Sequence, residues 1–421
     1  MCYSSSFMDN PRHFDVIVIG GGAAGLMAAG RAAERGRKVL LFEKNKKAGK
    51  KLSITGGGRC NITNAEEDLK ILLSHYGSSE QFLYSAFSEF GVKETFKFFE
   101  SRKLPLKVEE RKRVFPKSEK APEVVDTLAT YVTKGNVDVR LGTPVRKIIV
   151  SNGTIQSVVA SGGEYTADSY IFASGGVSHP ETGSTGDGFA WLSELGHTVK
   201  EPTPTIVPLK ARDAWIRSLS GKTLTDARIV FYLDNKKQFA SSGDILLTHF
   251  GLSGPTILNS AGQVADLLHI GPVTAMIDLF PKLNVGELDK MLVDYFEVNK
   301  NKLLRNVARE LLPPGTMDGL LALIPNINPE KKVHSVTREE RRALVDTFKA
   351  LPVNITGLMG YDRAVVADGG VPLTEIDMRT MRSLRTPNVF VIGDLLNIKR
   401  PSGGYSLQLC WTTGYVAGSH A

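Results

Sequence analysis

Residues 14–43, FDVIVIGGGAAGLMAAGRAAERGRKVLLFE, carry the pattern that decides the fold of this chain. Residues 14–19 form an apolar run rich in β-branched side chains, which is typical of a strand buried on both faces. Residues 26–35 are rich in alanine and predict a helix that ends at Gly36, because glycine readily adopts the left-handed conformation that closes a helix. Residues 38–42 predict a second strand. The stretch therefore predicts the strand–helix–strand opening of a Rossmann-like α/β fold.

The turn between the first strand and the helix has the spacing G-x-G-x-x-G, formed by Gly20, Gly22 and Gly25. The first glycine permits the tight turn, the second lets the backbone approach a pyrophosphate, and the third lets helix and strand pack closely. Free N–H groups and the positive dipole at the helix start favour the same anion. Glu43 ends the second strand, where an acidic side chain binds the ribose hydroxyls in such folds. The pattern predicts a bound dinucleotide, and a glycine-rich turn without a ligand is the alternative.

The C-terminal part of the sequence favours FAD over NAD, whereas the glycine fingerprint alone serves both. Residues 389–392 predict a buried strand that ends at Gly393-Asp394, and Gly403-Gly404 opens a helix that begins at Tyr405. We expect the acid to meet the ribityl or pyrophosphate part of FAD. We expect the helix N–H groups to face the N1–C2=O edge of the flavin, where negative charge develops on reduction. Gly175-Gly176, which ends a short strand at 170–173, is expected at the same cofactor.

Residues 55–64, TGGGRCNITN, are too polar and too rich in glycine to form a core element. Successive N–H groups of Gly56, Gly57 and Gly58 can form an anion nest, and Arg59 can fork onto phosphate or flavin carbonyl oxygens. A lysine-rich segment, residues 44–51, lies just before this loop, where a pyrophosphate would be. We therefore predict a loop that wraps the cofactor, with a flexible surface loop as the alternative.

Four motifs, in order along the chain, resemble those of the YhiN-like (BaiN-like) flavoproteins: residues 50–64, 182–188, 247–255 and 403–405. The resemblance spans residues 14–420. It implies an NAD(P)/FAD-dependent oxidoreductase with a glutathione-reductase-type FAD domain into which a β-barrel-like part and a helical part are inserted. The family includes a bile-acid enone reductase and an aminoacetone oxidase. At 393–397 this chain has GDLLN where the family commonly has GEVLD, so the fine flavin contacts and the redox tuning are expected to differ.

Carried over residue by residue, the resemblance implies FAD contacts at Ala24, Glu43, Leu52, Gly57, Gly58, Arg59, Asn61, Val145, Asp394, Gly404 and Tyr405. The motifs and the resemblance together give the full set of residues expected at the cofactor: Gly20, Gly22, Ala23, Ala24, Gly25, Glu43, Lys44, Lys51, Leu52, Gly56, Gly57, Gly58, Arg59, Cys60, Asn61, Val145, Gly175, Gly176, Gly393, Asp394, Gly403, Gly404 and Tyr405.

The length of 421 residues predicts more than one domain. The character of the sequence changes near residue 203, with prolines at 202, 204 and 208, and then strand-like segments. We expect residues 14–203 and 355–421 to form the FAD-binding domain. We expect residues 204–354 to form an inserted substrate or cap domain, with a β-barrel-like part at about 204–280 and a helical part at about 281–350.

The composition, 42% hydrophobic and 23% charged, is that of a globular protein rather than a disordered or fibrous one. No apolar run is long enough for a membrane span, so no membrane partner is expected. The three cysteines, Cys2, Cys60 and Cys410, are too few and too scattered for a disulfide framework or a metal site, which favours a reducing cytoplasm. The net charge of +8 favours acidic ligands, but the two basic clusters, residues 44–51 and 111–120, lack the interleaved aromatics of a base-stacking surface. We therefore expect a small-molecule substrate and no nucleic acid, and the oligomeric state stays open.

The leading hypothesis is a reductase in which NADH or NADPH reduces the flavin, which then reduces a carbon–carbon double bond conjugated to a carbonyl. Residues 203–360 contain no second G-x-G-x-x-G, so a nicotinamide would have to dock directly on the flavin. An amine or amino-ketone oxidase, an RNA-associated flavoprotein and a non-catalytic flavin-binding module are the alternatives. His249 is a candidate proton donor or a turn residue. Tyr405 and Arg400 lie near the expected flavin face, but core packing and a surface charge explain them equally well, so no catalytic residue is assigned.

Overall fold

The structure is a computed structural model that describes residues 12–324 and 327–421. Its contacts divide the chain into two units. One comprises the described residues up to Thr203 together with Val366–Ala421, and the other is Pro204–Val365. The return to the first unit expected at residue 355 falls inside the strand Leu351–Leu358, which belongs to the barrel of the second unit, so the structure places the division later. No helix among the described residues is both long and apolar enough to cross a membrane.

Strands and helices are numbered here in chain order. The strands are β1 (Arg12–Ile19), β2 (Val39–Phe42), β3 (Thr63–Asn64), β4 (Leu106–Glu109), β5 (Arg113–Pro116), β6 (Asp138–Arg140), β7 (Val145–Ser151), β8 (Thr154–Ala160), β9 (Gly163–Phe172), β10 (Lys200–Ile206), β11 (Leu209–Ala211), β12 (Thr223–Leu233), β13 (Lys236–Thr248), β14 (Gly251–Ser253), β15 (Val273–Asp278), β16 (Leu351–Leu358), β17 (Val366–Gly370) and β18 (Val389–Val391). The helices are α1 (Ala23–Glu34), α2 (Leu69–Ser74), α3 (Glu80–Glu89), α4 (Val92–Ser101), α5 (Ala121–Lys134), α6 (Asp187–Glu194), α7 (Ala214–Ser218), α8 (Pro255–Leu268), α9 (Val285–Val298), α10 (Leu304–Arg309), α11 (Met317–Leu321), α12 (Arg338–Lys349) and α13 (Tyr405–His420).

The first unit is built on a parallel sheet with the strand order β6–β2–β1–β9, and β18 pairs with β9 on the side away from β1. Strand β1 lies between β2 and β9, and Val16, Ile17 and Val18 are fully buried, which explains why this segment is a continuous apolar run. Because the strands are parallel, the carboxyl ends of β1, β2, β9 and β18 lie along one edge. The predicted Rossmann-like fold is confirmed.

The C-terminal helix α13 packs directly on α1. A Cβ atom at Gly414 would lie 2.5 Å from the carbonyl oxygen of Ala24, and one at Gly418 would lie 2.4 Å from that of Ala28. Such approaches leave no room for a side chain, so the two helices meet backbone to backbone. This contact joins the two ends of the chain in one unit, and it sets the start of α1 level with Gly414 in the second half of α13.

Strands β7, β8 and β9 form an antiparallel meander beside the parallel strands, as the alternating pattern of 137–159 indicates. Residues 79–123 differ from the prediction of helices broken by a basic turn. After α3 and α4, strands β4 and β5 form an antiparallel hairpin that pairs with β3. Arg111 and Lys112 make the turn with φ angles of 59° and 58°, and Val114 and Phe115 are buried beyond it. Two strands of four residues are too short for their alternation to stand out from helical periodicity.

The second unit contains a closed barrel with the strand order β11–β14–β13–β12–β15–β16. Its interior is filled by alternate residues of the strands, such as Ile229 and Phe231 on β12 and Ile245 and Leu247 on β13, all fully buried. Residues 204–280 supply every strand of this barrel except β16, which follows the helices α9 to α12.

Candidate cofactor site

The turn from β1 into α1 is a cradle that excludes side chains at two of its glycines. Gly20 has a φ of +111°, and a Cβ atom there would lie 2.5 Å from the carbonyl oxygen of Ala173. A Cβ atom at Gly25 would lie 1.9 Å from the carbonyl oxygen of Gly20. At Gly22, by contrast, a Cβ atom would meet no described atom within 4 Å, so the space above this residue is open. No described side chain caps the start of α1 there, so the first-turn N–H groups remain available to an anionic group.

Glu43 is held against this cradle by three hydrogen bonds. Its Oε2 accepts from the backbone N–H of Gly21 at 2.8 Å, and its Oε1 accepts from the backbone and side-chain nitrogens of Asn45 at 2.7 and 2.8 Å. The residue is 8% exposed. Oε1 already accepts two hydrogen bonds, whereas Oε2 accepts one and keeps a second lone pair for a hydroxyl donor, so the donors fix the acid without exhausting it. This arrangement fits the ribose of an adenosine diphosphate group.

The ends of β9 and β18 meet the same cradle. Gly175 has a φ of +76°, and Gly393 has a φ of +64°. A Cβ atom at Gly393 would lie 3.2 Å from the Cβ of Ala24, and one at Gly176 would lie 3.4 Å from the carbonyl oxygen of Asp394. The structure therefore brings together Gly20, Ala24, Gly175, Gly176, Gly393 and Asp394 at the carboxyl edge of the sheet, where open α/β sheets bind their ligands.

A charged cluster lies at this edge. Arg400 pairs with Asp394, and the Nζ of Lys51 lies 3.4 Å from the Oδ2 of Asp394 and 3.4 Å from the Oγ of Ser178. Burial alone would raise the pKa of Asp394, but the charges of Arg400 and Lys51 outweigh it and hold the pKa below its usual value. The side chain of Arg400 is 1% exposed, so its interpretation as a surface charge is wrong.

The start of α13 is anchored to β3. A Cβ atom at Gly404 would lie 2.3 Å from the carbonyl of Thr63, and Gly404 has a φ of +103°. The side-chain amide of Asn64 donates to the carbonyl oxygen of Gly403 at 3.2 Å. Strand β3 forms the last two residues of the glycine-rich stretch 55–64, so the end of this stretch and the start of α13 lie next to each other.

Tyr405 is 6% exposed, and its ring lies 4.7 Å from the ring of His75. Its backbone carbonyl accepts from the hydroxyl of the buried Tyr76 at 2.9 Å. Burial raises the pKa of Tyr405 to about 12. These contacts favour the packing interpretation of this side chain over a role as proton donor.

The glycine loop consists of three successive left-handed residues rather than the alternating right- and left-handed residues that define an anion nest, so a nest here stays a prediction. Gly56, Gly57 and Gly58 have φ angles of 57°, 67° and 87°, and Cβ atoms at Gly57 and Gly58 would meet nothing described within 4 Å. Arg59 extends from the end of this loop. Its guanidinium pairs with Glu109 and with Glu119 and lies 4.1 Å from the centre of the Phe115 ring.

Arg59 is thus engaged by protein groups rather than left as a free fork toward a phosphate. Its Nε is nevertheless buried and has no hydrogen-bond partner in the described part of the chain. One donor therefore remains for a ligand, and contact between Arg59 and FAD stays a prediction.

Four further predicted residues are placed differently from one another. Leu52 and Cys60 are buried, and Asn61 turns toward β5, where its Oδ1 accepts from the Val114 N–H at 3.2 Å. Val145 is 8% exposed at the start of β7, just after a turn that is bonded to the Glu43 carbonyl through the Thr143 N–H at 2.9 Å. Val145 therefore lies beside the Glu43 segment, whereas Asn61 is directed into the small sheet.

Lys44 turns to the loop of residues 182–188, where its Nζ donates to Thr185 at 2.5 Å and to Asp187 at 2.7 Å. This loop contains one of the family motifs, and the sequence alone does not place it beside Lys44. It also does not single out Asn45, which lies two residues after Glu43 and whose side chain bonds to both Glu43 and the Thr182 carbonyl. Its proximity to Glu43 and the glycines at 183 and 186 were the available signals.

The cysteines behave as ordinary packing residues. Burial raises the pKa of Cys60 to about 12 and that of Cys410 to about 12, so neither is a ready thiolate. Neither forms a disulfide, and Cys2 lies outside the described residues. In the second unit, His249 is exposed and its ring packs edge-on against Phe250. These contacts do not assign it a catalytic role.

Comparison with known proteins decides the family. The model of the HI0933-like protein Rossmann domain matches residues 14–420 of this chain. The chain belongs to the HI0933-like Rossmann-domain family. This confirms the resemblance to the YhiN-like (BaiN-like) flavoproteins and makes the protein an FAD-dependent oxidoreductase.

Two characterised proteins are similar to this chain over nearly their whole length. The 3-dehydro-bile acid delta(4,6)-reductase of Clostridium scindens is 28% identical over 408 residues, which are 96% of this chain and 98% of the relative. The ribosomal RNA dihydrouridine synthase of Escherichia coli is 28% identical over 405 residues, 96% of each chain. Among solved structures, the 3-ketosteroid-delta4-(5alpha)-dehydrogenase of Rhodococcus jostii has a TM-score of 0.54 at 13% identity, over 99% of this chain and 98% of that one. This last likeness shows the fold.

Proposed function

We propose that this FAD-dependent oxidoreductase reduces a carbon–carbon double bond conjugated to a carbonyl group in a small molecule, with NADH or NADPH as the electron donor. The observation that carries the proposal is the near-full-length similarity to a reductase whose name describes that chemistry on a 3-oxo steroid. The oxygen-using amine or amino-ketone oxidase is the alternative within the same family resemblance.

The site residues fit the cofactor in three places. The open space over Gly22 and the first-turn N–H groups of α1 suit the pyrophosphate, and Glu43 suits the adenosine ribose. Asp394 suits a hydroxyl of the ribityl chain. When bound, FAD supplies hydride transfer, which none of the protein's own side chains can perform. The start of α13 would offer its positive end to a flavin bound beside it, which would favour the reduced form.

The structure describes a single dinucleotide-binding turn, and this turn is the one proposed to hold FAD. The described residues contain one G-x-G-x-x-G turn between a parallel strand and a helix, and the second unit consists of a barrel and helices. NADH or NADPH would therefore act by docking on the flavin itself rather than in a domain of its own.

An anaerobic titration tests this proposal. The flavin absorbance at about 450 nm should decrease when NADH or NADPH is added, and it should return when a 3-oxo-4-ene steroid is added without air. Bleaching by an amine or amino-ketone instead, with peroxide formed on admission of oxygen, would favour the oxidase. A flavin that no donor in either class reduces would contradict both and leave a flavin-binding module.

A second candidate substrate is the uracil ring of ribosomal RNA. The name of the Escherichia coli relative favours it, at the same identity and coverage as the bile-acid reductase. The C5=C6 bond of uracil is also conjugated to a carbonyl, so the flavin chemistry would be the same. The net charge of +8 is of the sign that binds a phosphate backbone.

Ribosomal RNA transcribed in vitro separates the two substrates. Incubation with enzyme and reductant, followed by digestion and mass spectrometry, should detect dihydrouridine only if RNA is the substrate. Its appearance would overturn the expectation of a small-molecule partner without nucleic acid. Its absence, with steroid turnover present, would support the first candidate. The cytoplasmic location stays a prediction.

A further inference from the structure

Arg400 is a buried arginine in which all three guanidinium nitrogens are bonded. Its Nη2 donates to Asp394, its Nη1 donates to the carbonyl oxygen of Ile398 at 2.6 Å, and its Nε donates to the Oγ of Ser406 at 3.2 Å. The side chain is 1% exposed. A buried charge is tolerated only where its donors are satisfied, so this residue is placed by its partners and not by solvent.

The three partners belong to three successive pieces of the chain. Asp394 lies three residues after the end of β18, Ile398 lies in the connecting segment 396–404, and Ser406 is the second residue of α13. The connecting segment contains no helix or extended strand of its own. Arg400 therefore ties the end of a sheet strand to the first turn of the helix across an otherwise irregular segment that includes Gly403 and Gly404.

The carboxylate of Asp394 is held unequally by its two cations. Arg400 bonds Oδ1, whereas Oδ2 faces the ammonium of Lys51 at 3.4 Å, longer than a normal charge-assisted hydrogen bond. From α13, the thiol of Cys410 is the other titratable group that interacts with this acid. Because the bond to Oδ1 fixes the carboxylate, the direction of Oδ2 is fixed as well. Oδ2 is only loosely engaged by Lys51, so it can still accept a hydrogen bond from a hydroxyl group.

We propose that Arg400 is a positioning residue for FAD, which orients Asp394 through Oδ1 and thereby presents Oδ2 to a hydroxyl of the cofactor. The inference rests on FAD being bound at this edge of the sheet and is independent of the substrate. Lys51 differs from Arg400, because Lys51 contacts the same acid without linking β18 to α13.

The test uses full-length apo-protein titrated with FAD, with binding followed by quenching of flavin fluorescence. The variants are Arg400→Met, Arg400→Lys, Asp394→Asn and the double variant Arg400→Met/Asp394→Asn. Lys399→Met is the matched control, since Lys399 is the adjacent residue, carries the same charge and is exposed. Each titration is run at about pH 8 and about pH 5, because burial raises the pKa of a carboxyl that has lost its paired cation, whereas the intact pair holds the pKa of Asp394 below its usual value.

We expect Arg400→Met to weaken FAD binding by about ten- to a hundredfold, the range of one charged hydrogen bond. Its loss of affinity should grow as the pH falls, because Asp394 then takes up a proton. The double variant should bind like Asp394→Asn alone and without this pH dependence, Arg400→Lys should fall between wild type and methionine, and Lys399→Met should match wild type.

Wild-type affinity and pH profile in Arg400→Met would overturn the inference, as would effects of Arg400→Met and Asp394→Asn that simply add. If Arg400→Met gives no folded apo-protein, Arg400→Lys decides, and affinity equal to wild type at both pH values would overturn the inference. Wild-type protein that binds no FAD would overturn the proposed function and this inference with it. Binding by wild type and by Arg400→Met alike would overturn this inference alone.

Discussion

Alanine at Gly22 and alanine at Gly25 should have opposite consequences, although the two glycines lie in one turn. Gly22 has φ −84° and ψ −167°, an extended conformation open to any residue, and its Cβ would meet nothing within 4 Å among the described atoms. The loss of a glycine N-cap and the gain from a less flexible unfolded chain are each below about 1 kcal/mol and oppose each other. We therefore expect Gly22→Ala to leave the free energy of unfolding of the apo-protein within about 1 kcal/mol of wild type.

At Gly25 the new Cβ would lie 1.9 Å from the Gly20 carbonyl oxygen, so the start of α1 must shift away from β1. Overpacking of this kind costs about 1 to 3 kcal/mol or more. Binding of FAD should instead be weakened by Gly22→Ala, because the new methyl group occupies the approach to the first-turn N–H groups of α1. The loss of one charged hydrogen bond there is about 1.5 to 3 kcal/mol, or more than tenfold in the dissociation constant.

Urea unfolding of the apo-protein and FAD titration of the same samples measure the two quantities separately. The expected result is a stable Gly22→Ala protein that binds FAD poorly, and a destabilised Gly25→Ala protein, with Gly22→Val binding no FAD. A Gly22→Ala protein with wild-type affinity for FAD would refute the assignment of this turn to the pyrophosphate. A Gly25→Ala protein as stable as wild type would refute the packing geometry.

Three further outcomes follow from other parts of the first unit. Arg59→Ala should weaken FAD binding by about tenfold or more, because the unbonded Nε is then lost. Arg59→Lys should restore only part of the affinity, because an ammonium lacks the planar fork of a guanidinium. Equal affinity in all three proteins would show that Arg59 serves only its pairs with Glu109 and Glu119. Burial opposes ionisation of Glu375, but hydrogen bonds from Arg385, His197 and Thr198 lower its pKa to about 2 from 4.5. A lowered pKa gives stability that is complete above the ordinary value and is lost as the pH falls through the window from 4.5 to about 2, about 3 kcal/mol in all. Glu375→Gln should therefore flatten the acid dependence of the urea midpoint, and an unchanged dependence would contradict it. Gly404→Ala, with a Cβ 2.3 Å from the Thr63 carbonyl and a φ of +103°, should lower the melting temperature of the apo-protein, and an unchanged melting temperature would show that the helix start is not anchored there.

What could be predicted from the sequence was local in the chain. The strand, turn and helix of residues 14–36 and the acid at Glu43 follow from a contiguous pattern, and the structure has β1, α1 and β2 in those places. The start of α13 at Tyr405 was likewise marked by the glycine pair before it. In each case neighbouring residues decide the conformation.

What could not be predicted depends on partners that are distant in the sequence. Arg400 resembled a surface charge because its burial depends on the packing of β18 and α13, which no local pattern reveals. Arg59 resembled a free phosphate fork because Glu109 and Glu119 approach it only once the β4–β5 hairpin has formed. Strand β16 closes the barrel after the helical segment, so the sequence alone placed the end of the insertion too early.

The central claim is that the chain binds FAD through the turn of Gly20, Gly22 and Gly25 and the acid Glu43. The most direct measurement is the identity and amount of flavin released on denaturation of the purified protein, before and after reconstitution. We expect a yellow protein that releases FAD, not FMN, at about one per chain, and a colourless Gly22→Val protein that is still folded. Wild-type protein that stays colourless in excess FAD, or that releases FMN, would show that this turn and acid do not bind FAD.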